Sequence, residues 1–321
     1  ASIDLPSKPA LRSFLGARLQ AQSLAIRPPD IGSSAERSPL LDRRAHFDGE
    51  VSLIQFRAFG SSSRGGLSMQ LSQTQIERFR ETGYLLIDRF LPEATVERYR
   101  VAYMETVDRL RAENALRNGA AADDSDAHEK VYQLRTAHLL HAAFDEHIRN
   151  PAFLDVVQSL IGGDIQLVHY QGLYKPPHTG GAVNWHQDDF YWPSNDSTEG
   201  SVSLWTPLDD ATVENGCMWY VPGSHHRILH HSQLWDPKQR KGFYYGIESI
   251  PAEMESRAIP AEVHAGGIAI HAGGLVHCSR PNHSARPRRA LASHFINPRL
   301  REPGGVFKGV APEAIPLLRR S

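Results

Sequence analysis

The chain has 321 residues, of which 40% are hydrophobic and 22% are charged, and its formal net charge is −1 at pH 7. These values are ordinary for a globular protein with one large domain or two small ones. The balanced charge gives no electrostatic reason to expect nucleic acid or an anionic membrane as a partner, and apolar runs such as Tyr84-Leu85-Leu86-Ile87 are far too short to span a bilayer.

The N-terminal residues 1–68 differ in composition from the rest of the chain. Pro, Ser and Arg are scattered through them, and SSSRGG at 61–66 has the composition of a linker. We therefore expect an N-terminal extension, flexible or loosely docked, followed by one domain over residues 69–321. The chain has only two cysteines, which argues against a disulfide framework and fits a reducing compartment such as the cytoplasm. An acid-poor stretch with several arginines within residues 1–30 leaves organellar targeting as an alternative.

Residues 70–161 are predicted to be mainly helical. Ser72 with Gln75 resembles a capping box at the start of a helix that Gly83 can end. A short strand and a polar loop interrupt the helical pattern. In chain order, the sequence predicts a helix at 72–83, a strand at 84–90, a helix at 92–113, a loop at 114–129, and helices at 136–149 and 151–161.

After Gly163 the pattern changes to short β-like runs separated by Gly, Pro, Asn and Asp. These runs are DIQLVHYQGLY, SVSLWTPLD, CMWYVPG, GGIAIHAGG, LVHCS and RRALASHFI. Many short strands with turn signals between them favour a β-sandwich or a β-barrel. The predicted fold class is therefore mainly β with flanking helices, and the β core covers about residues 164–298.

One stretch, NWHQDDFYWP at 184–193, carries a histidine and two carboxylates among aromatic residues. On an extended chain His186 and Asp188 point to one side, whereas Gln187 and Asp189 point to the other. An imidazole and a carboxylate in this arrangement are two of the three groups of the 2-His-1-carboxylate triad that binds Fe(II). The stretch therefore predicts part of a metal site.

The third ligand of such a triad is expected far along the chain, on another strand. His277 in LVHCSRPN is the first candidate, and His271 and His264 are the alternatives. Arg288 follows on the next predicted strand, and adjacent antiparallel pairing would bring it back towards His277. Its guanidinium could bind the carboxylate of a dicarboxylic co-substrate through two hydrogen bonds, whereas Arg289 is interpreted as a solvated surface charge.

The order of these motifs resembles the phytanoyl-CoA dioxygenase family, which also includes ectoine hydroxylase. Three blocks match in order: WHQD, then WTPLDDATVENGCMWYVPGSH at 205–225, then HCSRPNHSARPRRA at 277–290. With the helical segment before them, the resemblance extends from about Gln70 to Asn297. It implies a double-stranded β-helix, a jelly-roll barrel of the cupin type, with helices packed on one side.

The same resemblance implies a non-haem dioxygenase that uses Fe(II), 2-oxoglutarate and O2. Carried onto this chain, it makes His186, Asp188 and His277 the expected iron ligands. The residues expected to bind 2-oxoglutarate are Arg288, Ser279, Trp205 and Lys175. Related halogenases have Ala or Gly at the carboxylate position, so Asp188 favours hydroxylation of a C–H bond, with release of succinate and CO2. The expected partner is a small organic metabolite, and the expected state is a monomer or a weak homo-oligomer.

Several alternatives stay open at this stage. The same cofactors support desaturation, cyclisation or epimerisation. A cupin-like protein that uses another divalent metal for hydrolysis or isomerisation would have no use for Arg288 and would release no succinate. A barrel that binds metal and 2-oxoglutarate without turnover is the non-enzymatic alternative.

Aromatic residues, a histidine-rich segment and a cysteine also lie near these motifs. The aromatic residues flanking the expected ligands are candidates to line a substrate pocket, namely Trp185, Phe190, Tyr191 and Trp192. The histidines of HHRILHH at 225–231 are interpreted as incidental residues of a solvated loop, because no carboxylate lies among them. Cys278 is expected to pack on the strand face opposite His277.

Overall fold

The computed structural model describes residues 54–55, 69–118, 131–191, 199–234, 245–301 and 315–320. The chain divides into two units, residues 1–50 and 51–321, and the described residues all belong to the second. Before Met69 the structure describes β1 (Ile54–Gln55), which pairs in parallel with β2 (Tyr84–Asp88). The expected boundary between an N-terminal extension and the domain from residue 69 stays a prediction.

The first helix, α1 (Gln73–Thr82), begins at the predicted capping box. The Ser72 amide donates to Gln75 Oε1 at 2.7 Å, and the Gln75 amide donates to Ser72 Oγ at 3.3 Å. Gly83 ends the helix with φ at 81°, a left-handed conformation that glycine adopts without steric cost. The other helices of the described residues are α2 (Glu93–Ala112), α3 (Ala142–Ile148), α4 (Pro151–Ile161) and the short α5 (Ala252–Ser256).

The segment between α2 and α3 differs from the prediction. It contains two short strands, β3 (Arg117–Asn118) and β4 (Tyr132–Arg135), which pair with each other, and residues 119–130 lie outside the described residues. The helix predicted over 136–149 is shorter, because Thr136 has a left-handed φ of 50° and a 3-10 turn follows at Ala137–Leu139. A run of only four strand residues is too short for its alternation to stand out in the sequence.

The remaining strands lie in the second half of the chain. They are β5 (Ile165–Lys175), β6 (Val183–His186), β7 (Ser201–Pro207), β8 (Met218–Tyr220), β9 (Ser232–Gln233), β10 (Tyr245–Gly246), β11 (Ile259–Ala261), β12 (Ile268–Ala272), β13 (His277–Ser279), β14 (Arg288–Ile296) and β15 (Leu317–Arg319). Within the described residues, nine strands form a sheet in the order β1-β2-β12-β7-β14-β5-β4-β3, with β15 also paired to β5. A four-stranded sheet has the order β11-β8-β13-β6, and β9 pairs with β10.

Side chains of the nine-stranded sheet alternate between two cores, as expected for strands with both faces covered. On β14, Leu291 points outwards and packs in the same apolar cluster as Tyr103 of α2. Its neighbour Ala290 points inwards and packs with Tyr220 of the four-stranded sheet. The two sheets therefore face each other across an interior core, and helices cover the outer face of the larger sheet. This confirms the predicted fold class, a mainly β double-stranded β-helix with flanking helices.

One topological expectation was wrong. β13 pairs with β6 and β8, whereas β14 pairs with β5 and β7, so β13 and β14 belong to different sheets. His277 and Arg288 therefore do not approach each other as neighbours on adjacent strands. The connection between the two strands crosses from one sheet to the other, which a reading of consecutive strands as a hairpin cannot detect. None of the helices in the described ranges is long and apolar enough to cross a bilayer.

Candidate active site

Three predicted ligands meet where β6 and β13 pair. His186, the last residue of β6, lies directly opposite His277, the first residue of β13, in the antiparallel register. Asp188 follows two residues later, at the start of a 3-10 turn. The Nε2 atoms of both histidines lie 3.8 Å from Asp188 Oδ1, and one ligand atom from each residue falls within 4.8 Å of the others. Two imidazole nitrogens and one carboxylate oxygen thus point at a common position.

Backbone hydrogen bonds set the orientation of both imidazoles. His186 Nδ1 donates to the Asn184 carbonyl at 2.7 Å, and His277 Nδ1 donates to the Leu275 carbonyl at 2.8 Å. Each Nε2 therefore keeps its lone pair for the common position. Burial, with the neighbouring imidazole, lowers the pKa of His186 to about 4, and burial lowers the pKa of His277 to about 4 against the opposing effect of Asp188. Both rings are neutral at pH 7, the form in which imidazole binds a metal.

The carboxylate of Asp188 is held through its second oxygen. Ser203 Oγ donates to Asp188 Oδ2 at 2.6 Å and His271 Nε2 donates to it at 3.0 Å, with His294 Nδ1 at 3.2 Å. Burial alone would raise the pKa of Asp188, but His294, His277 and the hydrogen bond from His271 lower it well below its ordinary value. The group is therefore an anion at neutral pH, with Oδ1 turned towards the two imidazoles.

The structure also distinguishes among the three histidines that were candidates for the third metal ligand. His277 supplies the third atom of the cluster, whereas His271 contacts the carboxylate from behind. His264 lies at the surface, where its Nδ1 is 3.0 Å from Asp88. Sequence reasoning missed Ser203 and His294, and their only signal was an inward-facing position on strands β7 and β14.

The residues between and after the ligands point away from the cluster, as the alternation predicted. Gln187 donates to the carbonyls of Arg227 at 2.8 Å and Gly274 at 2.5 Å. Asp189 accepts from Arg301 at 2.7 Å and from Ser201 at 2.9 Å. Burial raises the pKa of Asp189 to about 6, although Arg301 acts in the opposite direction.

Two histidines of the segment after β8 are not incidental residues of a solvated loop. His225 and His231 are buried. His231 Nε2 accepts from the Gln187 amide at 3.0 Å, and His225 Nε2 donates to the Arg80 carbonyl at 3.1 Å. The interpretation is corrected for these two residues, which satisfy backbone groups, whereas His226 and His230 are exposed as expected. Cys278 is buried beside His277, as expected of a packed thiol, and burial raises its pKa to about 12.

Arg288, at the start of β14, carries a buried positive charge. Among the described residues, its Nε and Nη1 atoms have no hydrogen-bond partner, and neither does the buried Nε1 of Trp205. The guanidinium carbon lies 5.5 Å from the centre of the Trp205 ring. Burial lowers the pKa of Arg288 to about 10, so the side chain is still charged at pH 7. Unpaired buried donors around a cation fit a carboxylate ligand.

Two further expected helpers flank this arginine. Lys175 of β5 is the register partner of Arg288, and its Nζ donates to the carbonyls of Ser279 at 3.2 Å and Arg280 at 2.5 Å. Ser279 is buried and lies two residues after His277 on β13. By contrast, Arg289 points to the other side and binds Asp209 through two hydrogen bonds of 2.9 and 2.6 Å, which corrects its interpretation as a solvated charge.

The four aromatic candidates for a substrate pocket lie in different places. Trp185 precedes His186 on β6 and packs with an apolar cluster that includes Val221 and Val276, and its contact with a substrate stays a prediction. Phe190 stacks on His231 at 4.1 Å between ring centres. Tyr191 presents its ring edgewise to His186 at 6.2 Å. Trp192 lies outside the described residues.

A family model for phytanoyl-CoA dioxygenase (PhyH) matches residues 79–290, which span both the helical part and the whole site. The chain belongs to the phytanoyl-CoA dioxygenase family. This confirms the predicted class of enzyme, a non-haem dioxygenase that depends on iron and 2-oxoglutarate.

Individual relatives agree with this assignment. A mouse protein, phytanoyl-CoA dioxygenase domain-containing protein 1, is 26% identical over 267 residues, which cover 70% of this chain and 90% of the mouse protein. The solved non-haem monooxygenase ThoJ is 27% identical with a TM-score of 0.56 and covers 70% of this chain and 77% of its own. The α-ketoglutarate-dependent carbocyclase SnoK from nogalamycin biosynthesis has a TM-score of 0.60 at 23% identity, over 78% of this chain and 97% of its own, and shows a common fold.

Proposed function

We propose that this protein hydroxylates an unactivated C–H bond of a small organic molecule, with release of succinate and CO2. The observation that carries the proposal is the convergence of His186 Nε2, His277 Nε2 and Asp188 Oδ1 on one position. Iron with 2-oxoglutarate and O2 supplies an oxidant strong enough for such a bond. The chain's own residues hold the metal, orient the co-substrate and keep the reacting groups in a buried site.

The three converging side chains fit a ferrous ion. Two neutral imidazoles and one carboxylate are the protein ligands of the facial triad, which leaves positions open for co-substrates. The side chain of His186 is 15% exposed to solvent, whereas that of His277 is 5% exposed. This difference supports access to the metal from the His186 side, where Tyr191 borders the site.

Arg288 is proposed to bind the distal carboxylate of 2-oxoglutarate. Its Nε and Nη1 and the Nε1 of Trp205 are three buried donors that have no acceptor in the part of the chain that the structure describes. A buried cation without partners is costly, and a dicarboxylate would neutralise it. Lys175 and Ser279 border the same region, Lys175 through the hydrogen bonds that tie β5 to the end of β13.

The outcome of the reaction is the finer part of the proposal. Asp188 occupies the position where halogenases lack a carboxylate, which favours hydroxylation over halogenation. Desaturation, cyclisation and epimerisation use the same cofactors, and product analysis by mass spectrometry separates them from hydroxylation by a gain of one oxygen. The buried free thiols of Cys217 and Cys278 support a reducing compartment such as the cytoplasm.

The test is an anaerobic titration of the apoprotein with Fe(II) and 2-oxoglutarate. We expect the visible charge-transfer band that appears when 2-oxoglutarate binds ferrous iron. His277→Ala should abolish the band, and His264→Ala, which removes a surface histidine, should leave it intact. Absence of the band from the folded wild-type protein, or its persistence in His277→Ala, would refute the assignment. Succinate release with a substrate then separates an enzyme from a barrel that only binds.

A further inference from the structure

Ser203, His271 and His294 form a row of polar side chains at Oδ2 of Asp188, the oxygen turned away from His186 and His277. We call these three residues the polar row. Ser203 of β7 is the register partner of both His271 of β12 and His294 of β14, so these three side chains lie side by side on the inner face of the nine-stranded sheet. All three are buried. Each has a polar atom within 3.2 Å of Asp188 Oδ2. Three neighbouring strands thus bring polar side chains to the same carboxylate oxygen.

The hydrogen-bond directions in this row are determined by the charge of the carboxylate, which can only accept. His271 Nε2 must donate to Oδ2, so its Nδ1 accepts from the hydroxyl of Tyr220 at 3.1 Å. Ser203 donates its single proton to Oδ2, so it accepts from His294 Nδ1 at 2.7 Å. Two chains of hydrogen bonds therefore end at Asp188, one from Tyr220 through His271 and one from His294 through Ser203. Both imidazoles are neutral in this arrangement.

The two oxygens of Asp188 consequently have different surroundings. Oδ2 accepts hydrogen bonds from Ser203 and His271, whereas Oδ1 lies 3.8 Å from the Nε2 atoms of His186 and His277. An unrestrained carboxylate can bind a metal through one oxygen or through both. Binding through both would occupy a coordination position that the co-substrates need.

We propose that His271 and Ser203 are positioning residues that hold Oδ2 of Asp188, so that Oδ1 alone binds the metal and the positions for 2-oxoglutarate and O2 stay open. The inference rests on the proposed function, because it takes Asp188 as an iron ligand. Residues that hydrogen-bond a ligand from behind set its orientation and tune the metal site. Tyr220 supports His271 from the opposite sheet.

The test measures metal binding and co-substrate binding separately. Mn(II) affinity is measured by the loss of free-ion EPR signal, and 2-oxoglutarate affinity is measured on the Mn(II)-saturated protein by calorimetry. The variants are His271→Leu, which removes the donor, and His271→Gln, whose amide can still donate to Oδ2. In His271→Leu we expect the Kd of 2-oxoglutarate to rise ~10-fold or more beyond any change in the Mn(II) Kd, and in His271→Gln we expect it to stay within about threefold of wild type.

Each outcome decides the inference. An unchanged 2-oxoglutarate Kd in His271→Leu would overturn it. An equal loss of Mn(II) affinity and 2-oxoglutarate affinity in both variants would also overturn it, because a damaged structure weakens both kinds of binding. If His271→Leu does not fold, Ser203→Ala removes the 2.6 Å donor with the loss of one oxygen atom, and the same comparison applies. Failure of the wild-type protein to bind Mn(II) and 2-oxoglutarate together would refute the proposed function instead.

Discussion

Among single residues, Arg288 has a buried charge that suits a carboxylate ligand but destabilises the protein when no ligand is bound. It is one of the largest fully buried side chains among the described residues, and two of its nitrogen atoms have no partner. Taking a charge out of water without pairing it costs several kcal/mol. The neighbouring Arg289 carries the same charge but is paired with Asp209. The two arginines therefore form a matched pair for experiment.

We predict that Arg288→Met makes the apoprotein more stable while weakening its use of 2-oxoglutarate. Methionine has a similar length and removes the unpaired charge, so the free energy of unfolding should rise by ~1–4 kcal/mol. The KM for 2-oxoglutarate should rise ~30-fold or more, because a buried charge partner is lost. Chemical denaturation and succinate release measure the two effects.

Arg289→Met is the control for this prediction. It should leave the KM for 2-oxoglutarate unchanged and lower the free energy of unfolding by ~1–3 kcal/mol, because Asp209 loses the two hydrogen bonds of the guanidinium. Equal effects of the two substitutions on KM would contradict the role of Arg288.

At the scale of secondary-structure elements, Gln187 joins three segments. It lies between the end of β6 and the 3-10 turn of Asp188, and its amide nitrogen donates to the carbonyls of Arg227 and Gly274. Its Oε1 accepts from the Leu229 amide at 2.7 Å. Gln187 therefore ties the metal-binding strand end to the loop after β8 and to the β12–β13 turn. Gln187 thus uses two donors and one acceptor, a combination that among neutral side chains only an amide provides.

We predict that Gln187→Glu destabilises the protein more than Gln187→Met. A carboxylate cannot donate, so it would face two carbonyl oxygens in a buried place, at a cost of ~2 kcal/mol or more. Methionine fills the same volume without a buried charge. Equilibrium denaturation of the apoprotein at pH 7 measures the difference, and equal stability of the two variants would mean that the side chain acts only by packing.

At the scale of the whole molecule, the fold buries several neutral histidines. His147 is a case remote from the site: its Nε2 lies 3.0 Å from Thr206 Oγ1, and its Nδ1 lies 3.1 Å from the Tyr170 hydroxyl, between the helices and the sheet. Burial lowers its pKa to about 3. Burial acts in the same direction on the pKa of six more of the described histidines, namely His169, His186, His225, His231, His271 and His277.

We predict that the apoprotein loses stability as the pH falls below 6.5, the ordinary pKa of histidine. The unfolded chain binds protons there that the folded chain does not, so each such histidine costs up to ~1.4 kcal/mol per pH unit until its folded pKa is reached. Asp189, whose pKa is raised to about 6, contributes with the opposite sign and offsets part of the loss. Urea denaturation between about pH 7 and pH 5 measures the slope.

The variant that tests this prediction is His147→Gln. His147→Gln should reduce the slope of stability against pH, since it removes one titrating group. A flat profile of the wild-type apoprotein between those pH values would show that the buried histidines titrate normally.

Local sequence patterns determined much of this protein. The capping box of Ser72 and Gln75, the change to short strands after Gly163, and the opposite orientations of Asp188 and Asp189 all follow from spacing over a few residues. The three ordered motifs were enough to identify the family and hence the cofactors. Such features depend on neighbours along the chain, which the sequence shows directly.

The contacts between residues far apart in the sequence could be assigned from the tertiary structure alone. It placed His277 opposite His186 and His271 behind Asp188, although both histidines follow the same short glycine-rich pattern. It also assigned β13 and β14 to different sheets and left two nitrogen atoms of Arg288 without partners in the described residues. The physical reason is that strand register and sheet assignment are set by packing between segments far apart in sequence, and no local periodicity records that packing.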